Sequence, residues 1–138
     1  MRLFLSDSFF DKFTELPRNV QQNVRDFQKK FRQNSQSSAI HLESITQFKD
    51  SSLKTARVNQ EYRAVVGALG QDNYMLLYVD KHDKAYLWAQ NKKFVWNEHT
   101  QTCQIIPIDI QQKEAYVEES GNSNETTAES PLYDITDA

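Results

Sequence analysis

Two short segments carry side chains suited to work on a phosphodiester. The first is Arg57-Val58-Asn59-Gln60-Glu61-Tyr62-Arg63 and the second is Asp80-Lys81-His82-Asp83-Lys84-Ala85-Tyr86. An arginine presents a planar fork of donors that holds a phosphate and stabilises the charge that builds on it in a transition state. A histidine or a tyrosine can move the protons when a ribose 2′-hydroxyl attacks that phosphate. Arg63, His82 and Tyr86 are therefore the candidate catalytic set, provided that strand pairing brings the two segments to one end of a sheet. The same residues have an ordinary reading, in which Arg57 and Arg63 form surface ion pairs and Tyr86 packs in the core. Spacing alone favours the ordinary one.

A second group of charges lies earlier. Arg18, Arg25, Lys29 and Arg32 fall together on one face when the chain is wound at roughly 100° per residue. Val20, Val24, Phe27 and Phe31 recur at helical spacing on the other face. The basic stripe is either the solvated back of an amphipathic helix or a surface that meets phosphates, and the pattern favours the solvated back. Other chemistries find no support. His41, His82, His99 and Cys103 have no metal-ligand spacing, so no metal or other cofactor is expected. Three glycines, Gly67, Gly70 and Gly121, cannot build a phosphate-cradling loop, so the chain is not itself an ATPase. Cys103 lies in an apparent strand, where a lone cysteine is ordinarily an inert packing residue.

The elements that must position these residues read in order. Residues 2–5 are a short strand. Ser6-Asp7-Ser8 offers capping oxygens to a helix carrying Phe9, Phe13 and Leu16, and Pro17 closes that helix and opens the next. Ile40, Leu42 and Ile45 mark a buried segment of open type. Three β-type runs follow, Leu53 to Val58, Tyr62 to Leu69 and Tyr74 to Asp80, the last two joined by the turn Gly70-Gln71-Asp72-Asn73. Asp83 is placed to cap a short helix over 83–89 that aims Ala85, Tyr86 and Trp88 at the sheet. Phe94 to Trp96 and Cys103 to Ile106 form a second hairpin, which has no evident role beyond extending the sheet. The expected fold is α+β: a β-α-α-β-β-β order with both helices packed on an antiparallel sheet, plus the C-terminal hairpin.

Charge divides the chain. Beyond residue 108 stand eight of its nineteen acids and only one of its sixteen bases, a net of −7, which leaves +4 for residues 1–108. The expected organisation is a folded domain over 1–108, with a core at about 2–90 and the hairpin at about 94–106. Residues 109–138 then form an acidic, disordered tail or linker. One cysteine excludes an internal disulfide framework, no apolar run is long enough for a membrane span, and the N-terminus turns acidic too early for a signal peptide. A cytoplasmic bacterial-type protein with no membrane partner is expected.

Leu16-Pro17, the basic helix after it, the segment 57–63 and His82-x-x-x-Tyr86 resemble, in order, the landmarks of the RelE/ParE toxin superfamily. That resemblance covers residues 2–90. A nearer likeness joins residues 79–89, 94–104 and 130–138 to the RelE-like domain at the N-terminus of some UvrD/Rep-type DNA helicases. In RelE-type toxins the domain cuts messenger RNA in the ribosome without metal, and an antitoxin blocks it. The resemblance implies that Arg63 stabilises the phosphate, that Tyr86 lies near the cut, that His82 stands where several relatives keep a histidine, and that Lys54 and Arg57 add positive charge. Asp83 departs from the pattern, standing where many active relatives have a basic residue, and Asp80 adds a second carboxylate that lowers the potential a phosphate would feel. The implied function is an accessory module of a UvrD-like helicase, binding nucleic acid or protein. The alternative is an active RelE-type toxin, a ribosome-dependent mRNA endonuclease of a toxin–antitoxin system. Implied partners are RNA in the ribosome or DNA in a helicase context, and an antitoxin-like segment that the acidic tail could itself supply.

Overall fold

The structure is a computed structural model that describes residues 1–108; the acidic stretch 109–138 lies outside the described residues. The chain runs β1 (Leu3–Leu5), α1 (Asp7–Thr14), α2 (Arg18–Gln33), β2 (Glu43–Ser44), β3 (Leu53–Arg57), β4 (Tyr62–Gly70), β5 (Asn73–Lys81), α3 (His82–Gln90), β6 (Lys92–Asn97) and β7 (Thr102–Pro107). β1 to β5 form one five-stranded sheet in the order β1-β5-β4-β3-β2. The fold is α+β, as the residue pattern implies.

Local chemistry starts each helix where the sequence places it. Ser6 caps α1, its hydroxyl accepting the Phe9 amide hydrogen bond at 3.2 Å. Pro17 precedes α2, whose first turn needs no proline N–H. Val20, Val24, Phe27 and Phe31 of α2 are all buried, together with Phe9 and Leu16, against Tyr62, Ala64, Val66, Tyr74, Leu76 and Val79 of the sheet. Each such apolar side chain contributes roughly 1.5–3 kcal/mol on burial.

The sheet differs from expectation in one respect. β1 pairs with β5 in parallel, Leu3 to Leu5 lying against Tyr74 to Leu76, so the sheet is mixed rather than wholly antiparallel. The hydrophobic alternation of a three-residue strand does not encode its direction. The chain's route does, since it leaves β1 through α1 and returns to that edge only after β4 turns into β5. That turn is the expected one: Gln71 and Asp72 both have positive φ (55° and 59°), as a tight two-residue hairpin loop requires.

Across β4 and β5 the register shifts at Leu77, which has no partner between the pairs Val65–Tyr78 and Val66–Leu76. This bulge changes the parity of β5. Leu76 packs under α1 and α2, whereas both Leu77 and Tyr78 face the other side, where α3 lies. The Leu77 carbonyl is satisfied from α1 instead, accepting the Ser8 hydroxyl at 2.7 Å.

The C-terminal hairpin does not extend the sheet. β6 and β7 pair only with each other and lie over the α3 face of the main sheet. Gly67 explains the placement. A Cβ built there would come 2.7 Å from the ring of buried Phe94, so the missing side chain is the slot that receives that ring. Asp50 adds a polar tie, accepting the Phe94 amide at 2.7 Å through one oxygen and the Ser52 amide and hydroxyl through the other. Burial pushes the Asp50 carboxyl up, but these hydrogen bonds and nearby Lys93 outweigh it and hold the group below the ordinary aspartate range.

Two outcomes are expected. Gly67→Ala should destabilise the domain by about 1–3 kcal/mol, the range for forced overpacking, measured by chemical denaturation. Asp50→Asn should cost about 1–3 kcal/mol at neutral pH. Because the folded carboxyl is depressed, that difference is fully present above the unfolded value of 3.8 and shrinks as pH falls through the lower folded value. Melting both proteins across acid pH checks the sign.

Candidate functional site

The Asn59–Tyr62 turn between β3 and β4 organises the candidate site. The Asn59 side chain accepts the amides of Glu61 and Tyr62 at 2.8 and 2.7 Å and donates to Asn23 of α2 at 2.9 Å. This fixes the turn against the basic helix. Its carbonyls then hold both halves of the site. Arg63 Nη1 donates to the carbonyls of Asn59 and Tyr62 at 2.7 and 3.0 Å, with a longer contact to Gln60 at 3.3 Å. The His82 amide donates to the Glu61 carbonyl at 2.9 Å. The two segments meet at one sheet end because Arg63 pairs with Asp80, and Tyr62 with Lys81, along the β4–β5 ladder.

Arg57 and Arg63 are direct cross-strand partners. Among the described residues neither forms an ion pair with a carboxylate. The surface-pair reading of these arginines is therefore not what the structure contains. Like charges directly opposite one another repel. Arg63 keeps its Nε and Nη2 donors without a protein partner among the described residues. Arg57 also lines a cleft of about 90 Å³ with Asn23, Asp26 and Lys30.

α3 spans His82–Gln90, one residue longer at each end than the sequence implies, and Lys81 rather than Asp83 precedes it, without a side-chain cap. Ala85 and Ala89 are the residues α3 buries in the sheet-side core. Tyr86 is half-buried instead of fully packed, with its ring 4.4 Å from the His82 ring and edge-on to Phe48 at 5.9 Å. The His82 Nδ1 lies 3.0 Å from the Asp83 carboxylate. Trp88 stacks flat on Tyr78, the planes 2° apart and the centroids 4.4 Å apart.

Other candidates lie elsewhere. Strand alternation puts Lys54 on the face opposite Arg57, and its Nζ donates to the Ser44 hydroxyl at 2.8 Å. Arg18, Arg25, Lys29 and Arg32 are all exposed along the outer side of α2, with the Arg25 guanidinium 5.6 Å from the Phe13 ring centre. Among the described residues no three His, Cys, Asp or Glu side chains gather as a metal set, and no helix is long and apolar enough to cross a membrane.

Sequence reasoning missed three residues. Asn59 was legible in principle, since an asparagine in a short polar break is an Asx-turn signal. Phe48 and Lys12 were not, because both come from segments remote in sequence. Lys12 reaches Asp80 at 3.3 Å, and Asp80 also accepts the Tyr78 hydroxyl at 3.2 Å and the Lys81 amide at 2.8 Å. Burial pulls the Lys12 ammonium down, yet Asp80, Tyr78 and Glu15 together hold it above the ordinary lysine value. Burial and then the Asp80 charge push the Tyr78 phenol up.

In fold the chain is similar to three solved toxin structures. A YoeB/ParE toxin from Agrobacterium tumefaciens has 15% identity and a TM-score of 0.46, covering 59% of this chain and 99% of that one. The RelB–RelE antitoxin–toxin complex from Methanococcus jannaschii gives 16% and 0.47, covering 62% and 96%. A copper-bound mutant toxin from Helicobacter pylori gives 16% and 0.43, covering 61% and 97%. No family model and no curated protein sequence matches the chain.

The Tyr78 phenol should titrate above 10 in the folded protein. Asp80→Asn should lower that titration, because it removes the carboxylate that disfavours the phenolate. The ultraviolet difference between the protein and its Tyr78→Phe variant, followed with pH, reads both.

Proposed function

We propose that this chain is a toxin-like ribonuclease domain of RelE type, with Arg63 holding the scissile phosphate and His82 and Tyr86 moving the protons. One observation carries the reading. Two arginines oppose each other across β3 and β4 without a carboxylate partner among the described residues, and the turn that holds Arg63 also holds His82. Like charges at directly paired positions repel, and an anion held by both would offset that repulsion. The exposed cations of α2 add the non-specific attraction that an RNA backbone needs, and the Asn59–Asn23 bond ties that helix to the site. A messenger RNA within the ribosome is the substrate this reading assigns. An acidic antitoxin segment is the natural inhibitor of such a surface, and the sequence carries an acidic stretch of its own at 109–138.

A second reading keeps the same cations for binding without cutting, as in an accessory module of a UvrD-like helicase. Asp83 favours it, since its carboxylate beside His82 Nδ1 ties up one of the two ring nitrogens and adds negative charge at the site.

Translation in a purified system, followed by mapping of messenger RNA ends, separates the two. The ribonuclease reading expects inhibition with discrete cleavages, and a loss of about 10²-fold or more in Arg63→Ala, the scale for removing one charge-stabilising donor. Salt-sensitive RNA or DNA binding without cleavage by the folded protein would instead establish the binding module.

A further inference from the structure

Arg63 and Asp80 are direct partners across the β4–β5 ladder, and their side chains lie on the same face of the sheet. An arginine opposite an aspartate ordinarily closes a cross-strand ion pair. Here it does not. The Asp80 carboxylate, only 8% exposed, is taken by the Lys12 ammonium, the Tyr78 hydroxyl and the Lys81 amide. The Arg63 guanidinium turns the other way, onto the carbonyls of the 59–62 turn. Lys12 arrives from α1 around the edge of β5 that β1 leaves free, since β1 pairs only as far as Leu76. We propose that Lys12 is a positioning residue for the phosphate site: by engaging Asp80 it keeps that carboxylate from Arg63 and leaves the guanidinium open to a phosphate of an RNA strand.

The inference rests on the reading of Arg63 as the phosphate holder. Three features support it beyond the single ion pair. Against the pull of burial, Asp80, Tyr78 and Glu15 hold the Lys12 ammonium above its ordinary value, so the ion pair with Asp80 is charged at neutral pH. The Tyr78 ring that completes the clasp is fixed by its stack on Trp88, whose ring centre also lies 5.0 Å from the Lys92 ammonium. The bulge at Leu77 is what turns Tyr78 and Asp80 to this face, so one backbone irregularity in β5 brings the clasp level with the half-buried Arg63. Without Lys12 the cation that faces Asp80 across the ladder is Arg63, whose Nε and Nη2 remain available to it.

The test uses the full chain and four variants: Lys12→Met, Lys12→Arg, Asp80→Asn and the double variant Lys12→Met/Asp80→Asn. Two readings are taken, the affinity for a short single-stranded RNA by fluorescence anisotropy and the NMR resonance of the Arg63 Nε–H group without RNA. Lys12→Met should bind RNA about tenfold more weakly, the scale of one charge-assisted contact, and should shift the Arg63 resonance. Lys12→Arg should stay near the wild type. The double variant should return to within about twofold, because it removes the competing carboxylate along with the lysine. A double variant as weak as Lys12→Met would mean that Lys12 touches RNA itself, and would overturn the proposal. An Arg63 resonance unmoved in Lys12→Met would overturn it as well, whatever the RNA result. If Lys12→Met fails to fold, Asp80→Asn alone decides: folded protein binding RNA more weakly than wild type counts against the proposal, and equal or tighter binding supports it. Wild type that binds no RNA, with the Arg63 resonance shifted in Lys12→Met, removes the ribonuclease reading and leaves the competition for Asp80 standing.

Discussion

The pairing of β4 with β5 is the constraint on which the rest of the molecule hangs. It carries α1 and α2 on one face and α3 with the β6–β7 hairpin on the other, and β1 joins the sheet only through β5. Its register is fixed at one end by the tight positive-φ turn; it shifts once beside that turn, between Ala68 and Gly70, and again at Leu77. With a side-chain period of two, a single unpaired residue exchanges the faces for everything beyond it. Continued alternation from Leu76 would have put Tyr78 and Asp80 beneath the N-terminal helices and Val79 toward α3. The bulge reverses this. Val79 closes the helix-side core, while Asp80 comes level with Arg63 on the α3 side of the sheet. Bulges recur beside functional sites because they re-aim side chains in this way.

Much of this was legible in the residues, and what was not has a physical cause. The α2 stripe predicted its buried face residue for residue, because a helix with four large apolar side chains at 3.6-residue spacing has only one way to bury them. Ser6 as a cap and the Gly70–Asn73 turn were visible as local chemistry. The direction of β1 was not, since direction follows from chain routing rather than composition. Nor was the bulge, which has no glycine to mark it. The hairpin's seat was half-visible: Gly67 in an otherwise apolar strand is the usual sign of a close approach, but the approaching ring, Phe94, lies far along the chain.

The site shows the same division. The sequence places Arg57 and Arg63 near His82 and Tyr86 once neighbouring strands are paired, and the ladder brings these segments to one end. It does not reveal which charges are spent on one another. Asp80 reads as a carboxylate that weakens a phosphate site, yet in three dimensions Lys12 occupies it. Tyr86 reads as a core residue by its spacing, yet it is half-buried beside His82 because the two alanines of α3 take the positions against the sheet. Ion-pair partners drawn from separate helices and strands leave no periodic trace.

The parallel contact of β1 with β5 also sets an order in time. Leu3 must wait for Tyr74, so within the five-stranded sheet β1 has no partner until β5 has been made, and the edge it occupies stays open until β5 has left the ribosome. Ser6 and Ser8, which cap the bulge carbonyl, wait with it. A nascent chain therefore carries its N-terminal helices without a finished sheet to dock on, and Lys12 has no Asp80 to meet. On this route the face that carries Arg63 and Asp80 is assembled late, when nearly all of β5 is already free of the machinery that made it.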